Sequence, residues 1–307
     1  MRKGAGKKIN LARDMDVKNK TLLAKQLGVA RSSLYYQPKQ PVKDELAKQM
    51  IVAVMNDNPA YGHKRIALEL SMNKKKVLRI MKKNNLKPQK RRKSKPEKLE
   101  DQGKKPANIP NLAKNICPLR PNVLWVGDFT YIPWNNGFIY VATVMDVFNR
   151  EILGWHIGLH HTADLVIKAL EDALKKTNAR PIIFHSDQGS EYMSFNCQEI
   201  LKQLEIKISY SKKASPWENP FQESFYNNFK LELGSTNRFK DLGILTEIIA
   251  RQIYYYNTDR IHTSLKMPPI QFKKQYYLKN KTTAQLAVYS NIYSPLKVQK
   301  VSKEWGT

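Results

Sequence analysis

A chain of 307 residues has room for about two domains, one of them able to bury a full hydrophobic core. Lys and Arg outnumber Asp and Glu by 53 to 26, and the net charge of +27 makes a field that draws and holds polyanions, nucleic acid foremost. With no apolar run near the ~18 residues of a membrane span, a polar start at Met1-Arg2-Lys3-Gly4 and only Cys117 and Cys197, the composition points away from membranes, export, disulfide frameworks and zinc, towards a cytoplasmic, nucleoid-associated protein.

The first 40 residues read as a helix-turn-helix unit. Thr21–Leu27 has helical period, Gly28-Val29 supplies the turn, and Ala30–Tyr36 resumes a helix. Ala24, four positions before Gly28, is small enough to let the two helices meet. The second helix would present Arg31, Ser32, Ser33 and Tyr35 to a DNA groove, whereas an ordinary helical hairpin is the plainer alternative. Residues 41–85 read as a second helical module. Its helices are expected over Glu45–Asn56, from Tyr61 to Leu70, and over Asn73–Asn84. Lys64 and Arg65 in the middle helix, and the lysine-rich face of the last, suit a DNA backbone.

Residues 86–121 carry recurrent prolines and a crowd of cations, Arg91 and Arg92 among them, with too few apolar residues for a core. They read as a basic, extended linker. From residue 122 to 278 the pattern changes. Val123–Ile132, Gly137–Met145 and Glu151–Leu159 are rich in aromatic and β-branched residues and predict a three-strand meander. A helix (163–177), strand (181–185), helix (195–204), strand (206–211) and helix (219–233) follow. Three strands and then alternating helix and strand predict an α/β fold, a ribonuclease H-like mixed five-stranded sheet with flanking helices. Residues 279–307 are assigned to a C-terminal tail.

Three acids stand out. Asp128 lies mid-strand, sharing a face with Val126, Thr130 and Ile132, where a carboxylate is costly without a compensating cation. Asp187 ends a strand before a Gln188-Gly189-Ser190 turn; the adjacent His185 and Ser186 form no triad with it, because neighbouring strand residues point to opposite faces. Glu223 follows Asn219, a suitable N-cap, Pro220 at the first helical position, and Gln222, read as the far member of a capping box. Lys230, seven residues on, falls about 20° short of two full turns, so it shares a face with Glu223, with Asn227 close by. Three carboxylates can hold two Mg²⁺ ions, with Mn²⁺ as a substitute, for phosphodiester chemistry. Asp146, Glu191, Glu218 and Glu232 compete; Asp146 is the strongest rival, and a turn-proximal partnership with Arg150 accounts for it equally well.

The segments Trp125–Ile132, His185–Tyr192 and Glu223–Glu232, with thirty-five residues between the second and third acids, resemble the catalytic segments of bacterial insertion-sequence transposases of the OrfB type, relatives of retroviral integrases. Tyr61-Gly62-His63-Lys64-Arg65-Ile66 resembles the family's Tyr-Gly-x-x-Arg-Ile element, and Tyr256-Asn257, Arg260, His262, Leu265 and Pro269 its C-terminal signature. Trp217-Glu218-Asn219-Pro220 departs from the Trp-Asp-Asn-Ala of many relatives. The resemblance implies that Asp128, Asp187 and Glu223 bind metal and catalyse, and that Lys230 faces a DNA terminus. It implies cleavage at inverted-repeat ends of double-stranded DNA and joining of the exposed 3′-hydroxyl, by a homo-oligomer. Many relatives also work fused to an upstream-frame helix-turn-helix protein, a candidate partner here. Two other readings fit the same residues: a non-catalytic repressor derived from a transposase, and a metal-dependent nuclease of the same fold.

Overall fold

The computed structural model describes residues 20–35, 40–89, 109–114, 116–212 and 219–292; of Ser33, Tyr35 and residues 282–292 it describes the backbone alone. Two short helices open it, α1 (Lys20–Leu27) and α2 (Arg31–Tyr35). Gly28 joins them at φ +64°, a conformation that a side chain would strain, and Ala24 and Leu34 are buried against each other beneath it. Helices α3 (Gln40–Asp57), α4 (His63–Glu69) and α5 (Lys74–Lys83) enclose their own core of Ala47, Ile51, Tyr61, Ile66, Val77 and Ile80. Helix α3 starts five residues before the expected Glu45, and the extra turn places Asp44 to accept both arms of the Arg79 guanidinium at 2.7 Å.

The sheet has β1 (Leu124–Trp134), β2 (Gly137–Asp146), β3 (Ile152–Gly158), β4 (Ile183–Ser186) and β5 (Lys207–Tyr210) in the order β3-β2-β1-β4-β5. Strands β1, β2 and β3 pair antiparallel, and β4 and β5 run parallel to β1. This is the mixed ribonuclease H-like sheet expected of three strands followed by helix–strand alternation. Asn135 and Asn136 both have positive φ, the geometry of a two-residue hairpin whose twist matches its strands.

Alternation along β1 divides the interior. Leu124, Val126 and Ile132 face one core with helices α8 (Pro220–Leu233) and α9 (Leu242–Thr258). Trp125 faces the other, with α6 (Ala163–Thr177) and α7 (Phe195–Gln203). Helix α6 lies so close to β3 that a Cβ at Gly154 would stand 2.3 Å from the Ala173 nitrogen. The last helix, α10 (Pro269–Ile292), runs on through residue 278, where a tail was expected to begin.

The helical module docks on the end of α9. Ile261 joins the α3–α5 core, its N–H donates to the Tyr61 hydroxyl at 2.8 Å, and Tyr255 donates its hydroxyl proton to Asn58. Of the basic linker, residues 90–108 lie outside the described residues, Arg91 and Arg92 with them. Its end is packed: Leu112 N–H donates to Ser209 Oγ at 2.8 Å, and Ile109, Ala113 and Ile116 rest on the two cores of the sheet.

Candidate active site

Asp128 lies two residues beyond the last β1–β4 pair, where β1 still pairs with β2 at Thr143. The parallel register pairs Leu124 with Ile183, Trp125 with Phe184 and Val126 with His185; carried two residues further it sets Asp128 across from Asp187. Adjacent strands lie about 4.8 Å apart and opposite residues point to the same face, so both carboxylates emerge at the end of β4, on the side that α8 covers. Gly127 is what lets β1 lie flat here, since a Cβ there would come 2.5 Å from the Phe184 ring. Each acid is held by the backbone just after it: Asp128 accepts from Phe129 N–H and Asp187 from Gly189 N–H, at 2.8 and 2.9 Å.

Removal from water is the main force on both acids. It pushes Asp128 up to about 8, helped by the neighbouring Asp187 charge and opposed by the Phe129 N–H and Lys230. Asp187 is raised by burial first and by Glu191 second. A strand-centred carboxylate that resists ionisation beside a second one is what a site for a multivalent cation requires. Hard oxygen donors of this kind fit Mg²⁺ or Mn²⁺.

Glu223 is brought to β1 by the helix that carries it. Gln222, fully buried, donates its amide to the Val126 and Thr143 carbonyls at 2.8 and 3.3 Å and accepts from the Thr143 hydroxyl at 3.0 Å. Tyr226 one turn on donates to the Asp128 carbonyl at 2.7 Å. This corrects the expected capping box: Asn219 makes no side-chain cap, and Gln222 points inward rather than back along the helix. The physical reason is that Gln222 shares the buried face with Phe225, Tyr226 and Phe229, and sheet carbonyls lie beneath it. Glu223 and Asn227 stand exposed on the next face, with Lys230 half-buried, its ammonium 4.4 Å from the centre of the Tyr131 ring.

Asp187 and Lys230 therefore both act on Asp128, whereas Asp187 and Glu223 are themselves exposed. Among the described residues, no three His, Cys, Asp or Glu side chains are gathered closely enough to hold a metal ion. Of the rival acids, Asp146 lies at the far end of β2, opposite Trp125, where it accepts from the Asn122 and Phe148 N–H groups at 2.8 Å each. Burial pushes it up to about 6. It closes the β2–β3 turn, accepting the Arg150 N–H at its backbone carbonyl at 2.8 Å, while the Arg150 guanidinium lies 3.6 Å from the centre of the Phe221 ring. Glu232 accepts from Arg260 and Gln252, and Glu218 lies outside the described residues.

Two groups gather beside Asp187: Glu191, which the sequence raised only as a rival acid, and His161, which it did not single out. Glu191 is buried and accepts from His161 Nδ1 at 2.6 Å, and the His161 ring stacks on Phe129. Gly189 separates the two acids so narrowly that a Cβ there would lie 3.0 Å from an oxygen of each. The one signal available was a glycine between two carboxylates. The C-terminal signature also acquires a role in packing. Asn257 clips the edge of β3 through the Ile152 N–H and carbonyl, each at 2.9 Å, and Tyr256 meets Phe225 edge-on. The expected DNA contacts are spread wider. Arg31 and Ser32 are exposed on α2, the Ser33 side chain is outside the described set, Lys64 is exposed, and Arg65 is half-buried beside Tyr61.

Residues 118–216 match one integrase core domain family and residues 204–269 a second of the same description. The chain is 35% identical over 248 residues to the transposase for insertion sequence element IS904 of Lactococcus lactis, covering 77% of this chain and 96% of that protein. It is 31% identical to the putative transposase InsK for insertion sequence element IS150 of Escherichia coli, over 81% of this chain and 92% of the relative. Among solved structures it resembles the HTLV-2 integrase catalytic core domain in complex with magnesium, at 19% identity and a TM-score of 0.42, covering 50% of this chain and 98% of that one.

Proposed function

The chain belongs to the insertion-sequence transposases with an integrase core, and from that premise we propose that it binds the inverted-repeat ends of its own element, cleaves there with Mg²⁺, and joins the resulting 3′-hydroxyl to a second phosphodiester. The observation behind the reading is that Asp187, just past the end of β4, lies near enough to Asp128 in β1 for its charge to act on that carboxyl, with the helix that bears Glu223 tied to β1 by Gln222 and Tyr226.

In this reading Asp128, Asp187 and Glu223 would hold the divalent cations, Mg²⁺ or Mn²⁺, two per site, since three carboxylates supply enough oxygens for a pair. When bound, such ions activate the attacking oxygen and steady the leaving one. The protein's own groups set the conditions. Burial and the Asp187 charge favour the protonated form of the Asp128 carboxyl, which would have to ionise to serve as a ligand. The Phe129 and Gly189 N–H groups fix the two strand carboxylates in orientation. Lys230 and Asn227, projecting beside Glu223, would grip a phosphate or base of the DNA terminus. Arg31, Ser32, Ser33, Lys64, Arg65, Arg91 and Arg92 would supply contacts outside the core, and the chain would work as a homo-oligomer on DNA.

Purified protein, Mg²⁺ and a labelled duplex bearing the element's end test this. Cleavage and joining that disappear in Asp187→Asn are the expected result. Binding without nicking in either Mg²⁺ or Mn²⁺ would instead identify a repressor and sink the catalytic reading. Nicking indifferent to the end sequence would identify a nuclease.

A further inference from the structure

A second charged centre lies one helix face away from the catalytic acids. Arg65 from α4, Arg150 from the β2–β3 turn, and Arg260 and His262 from the segment after α9 converge on a cavity of about 260 Å³ that Ser224 and Asn228 of α8 also line. Three guanidiniums and an imidazole are brought together; Glu232 pairs with Arg260 Nε at 2.8 Å, and the Asp146 charge acts on Arg150. Arg65 Nε, Arg150 Nη1, Arg260 Nη2 and His262 Nδ1 are all buried and have no hydrogen-bond partner among the described residues. Arg260 is only 2% exposed.

Such an arrangement is expensive in isolation. Buried cations are ordinarily paired and every N–H satisfied, because lost hydration is otherwise uncompensated. The strain is visible in the neighbours: burial and the three guanidiniums push His262 down to about 4, and Arg65 is lowered by burial and then by Arg260. The groups are nonetheless held firmly. Arg150 lies over the Phe221 ring, Arg65 and Arg260 over Tyr61 and Tyr256, so the donors stay fixed without an anion to draw them in. A tetrahedral oxyanion answers the need best, since it accepts from several guanidiniums at once.

We propose that Arg65, Arg150, Arg260 and His262 form a receptor for a single backbone phosphate of bound DNA. The inference rests on the reading of the chain as a DNA-acting enzyme. The placement suits it, because Ser224 and Asn228 follow Glu223 and Asn227 by one residue each, about 100° round the same helix. A strand gripped here is carried past the catalytic face. The receptor also spans α4 and the core, so a phosphate bound in it ties the helical module to the sheet at the moment DNA arrives.

The test uses the full chain and a linear duplex of unrelated sequence, with binding measured by fluorescence anisotropy across a range of salt concentrations. Arg150→Gln and His262→Gln are compared with Arg180→Gln, which removes a charge from an exposed pair with Glu205. Arg150→Gln is expected to weaken binding about tenfold or more and to lower the slope of log K against log salt by about 0.9, with His262→Gln weaker in the same direction and Arg180→Gln near wild type. Wild-type affinity and slope in a folded Arg150→Gln would overturn the receptor while leaving the DNA-acting reading intact. Failure of the wild type to bind the duplex would overturn both. Inorganic phosphate provides a second readout that needs no variant. It is expected to raise the melting temperature of the wild type above chloride at matched ionic strength, and no rise would refute the site.

Discussion

Replacing Gln222 with Leu tests whether the buried amide is what sets Glu223 against β1. The substitution replaces the amide with an apolar side chain of similar size and deletes three hydrogen bonds, two donated to the Val126 and Thr143 carbonyls and one accepted from the Thr143 hydroxyl. At about 1 kcal/mol net for each bond, the loss is about 3 kcal/mol, reduced to about 2 kcal/mol by the apolar surface that Leu buries. Thr143 keeps its contact with the Tyr226 hydroxyl, which limits the damage. For a core of this size 1 kcal/mol corresponds to about 2–4 °C, so the melting temperature should fall by about 4–8 °C. Catalysis should suffer more than stability implies, because a displacement of about 1 Å at a catalytic group costs about 100-fold in rate. The assay pairs a melting curve with Mg²⁺-dependent strand joining at a temperature where the variant is folded. Glu223→Gln serves as the contrast, expected to abolish joining with no change in melting. A Gln222→Leu protein with wild-type melting and wild-type joining would refute the clamp.

Other outcomes follow from the same geometry. Gly154→Ala should prevent stable folding of the core, since the new Cβ would strike the α6 backbone at 2.3–2.4 Å; soluble expression with a native melting curve would contradict that packing. Asp44, held down to about 2 by the Arg79 guanidinium, stabilises the α3–α5 module above about pH 4, and that support is lost as pH falls through about 2. Asp44→Asn should therefore lower stability at neutral pH and flatten the acid end of the profile, read by circular dichroism against pH. His262 has the opposite sense in charge but the same direction in pH: its folded value near 4 lies below its ordinary 6.5, so the unfolded chain binds the extra proton and stability falls as pH drops from about 6.5 towards 4. His262→Gln should remove that portion of the acid loss, and an unaltered profile would count against the buried imidazole.

The sequence by itself marked the strands of the sheet, the helices between them and the candidate acids, but not helix α9 or α10. Period-two alternation marked β1 and its inward face, and helix α6 was bounded to the residue at Ala163–Thr177. These signals are local, written within one turn or one strand. What only the tertiary structure decided were relations between segments far apart in the chain. Parallel pairing of β1 with β4 brings Asp187, just past the end of β4, near Asp128, and no local pattern states that pairing. Gln222 looked like a cap because its spacing from Asn219 allowed one; it turned inward because strand carbonyls 79 and 96 residues away lay under it. Arg65 read as a DNA-backbone contact, Arg150 as a turn partner for Asp146, and Arg260 and His262 as members of a C-terminal signature, and it took the docking of α4 against the end of α9 to bring them together. Burial and charge–charge coupling depend on what folds next to what, so the chemistry of single residues was legible in the sequence, whereas the electrostatic cost of assembling them was not.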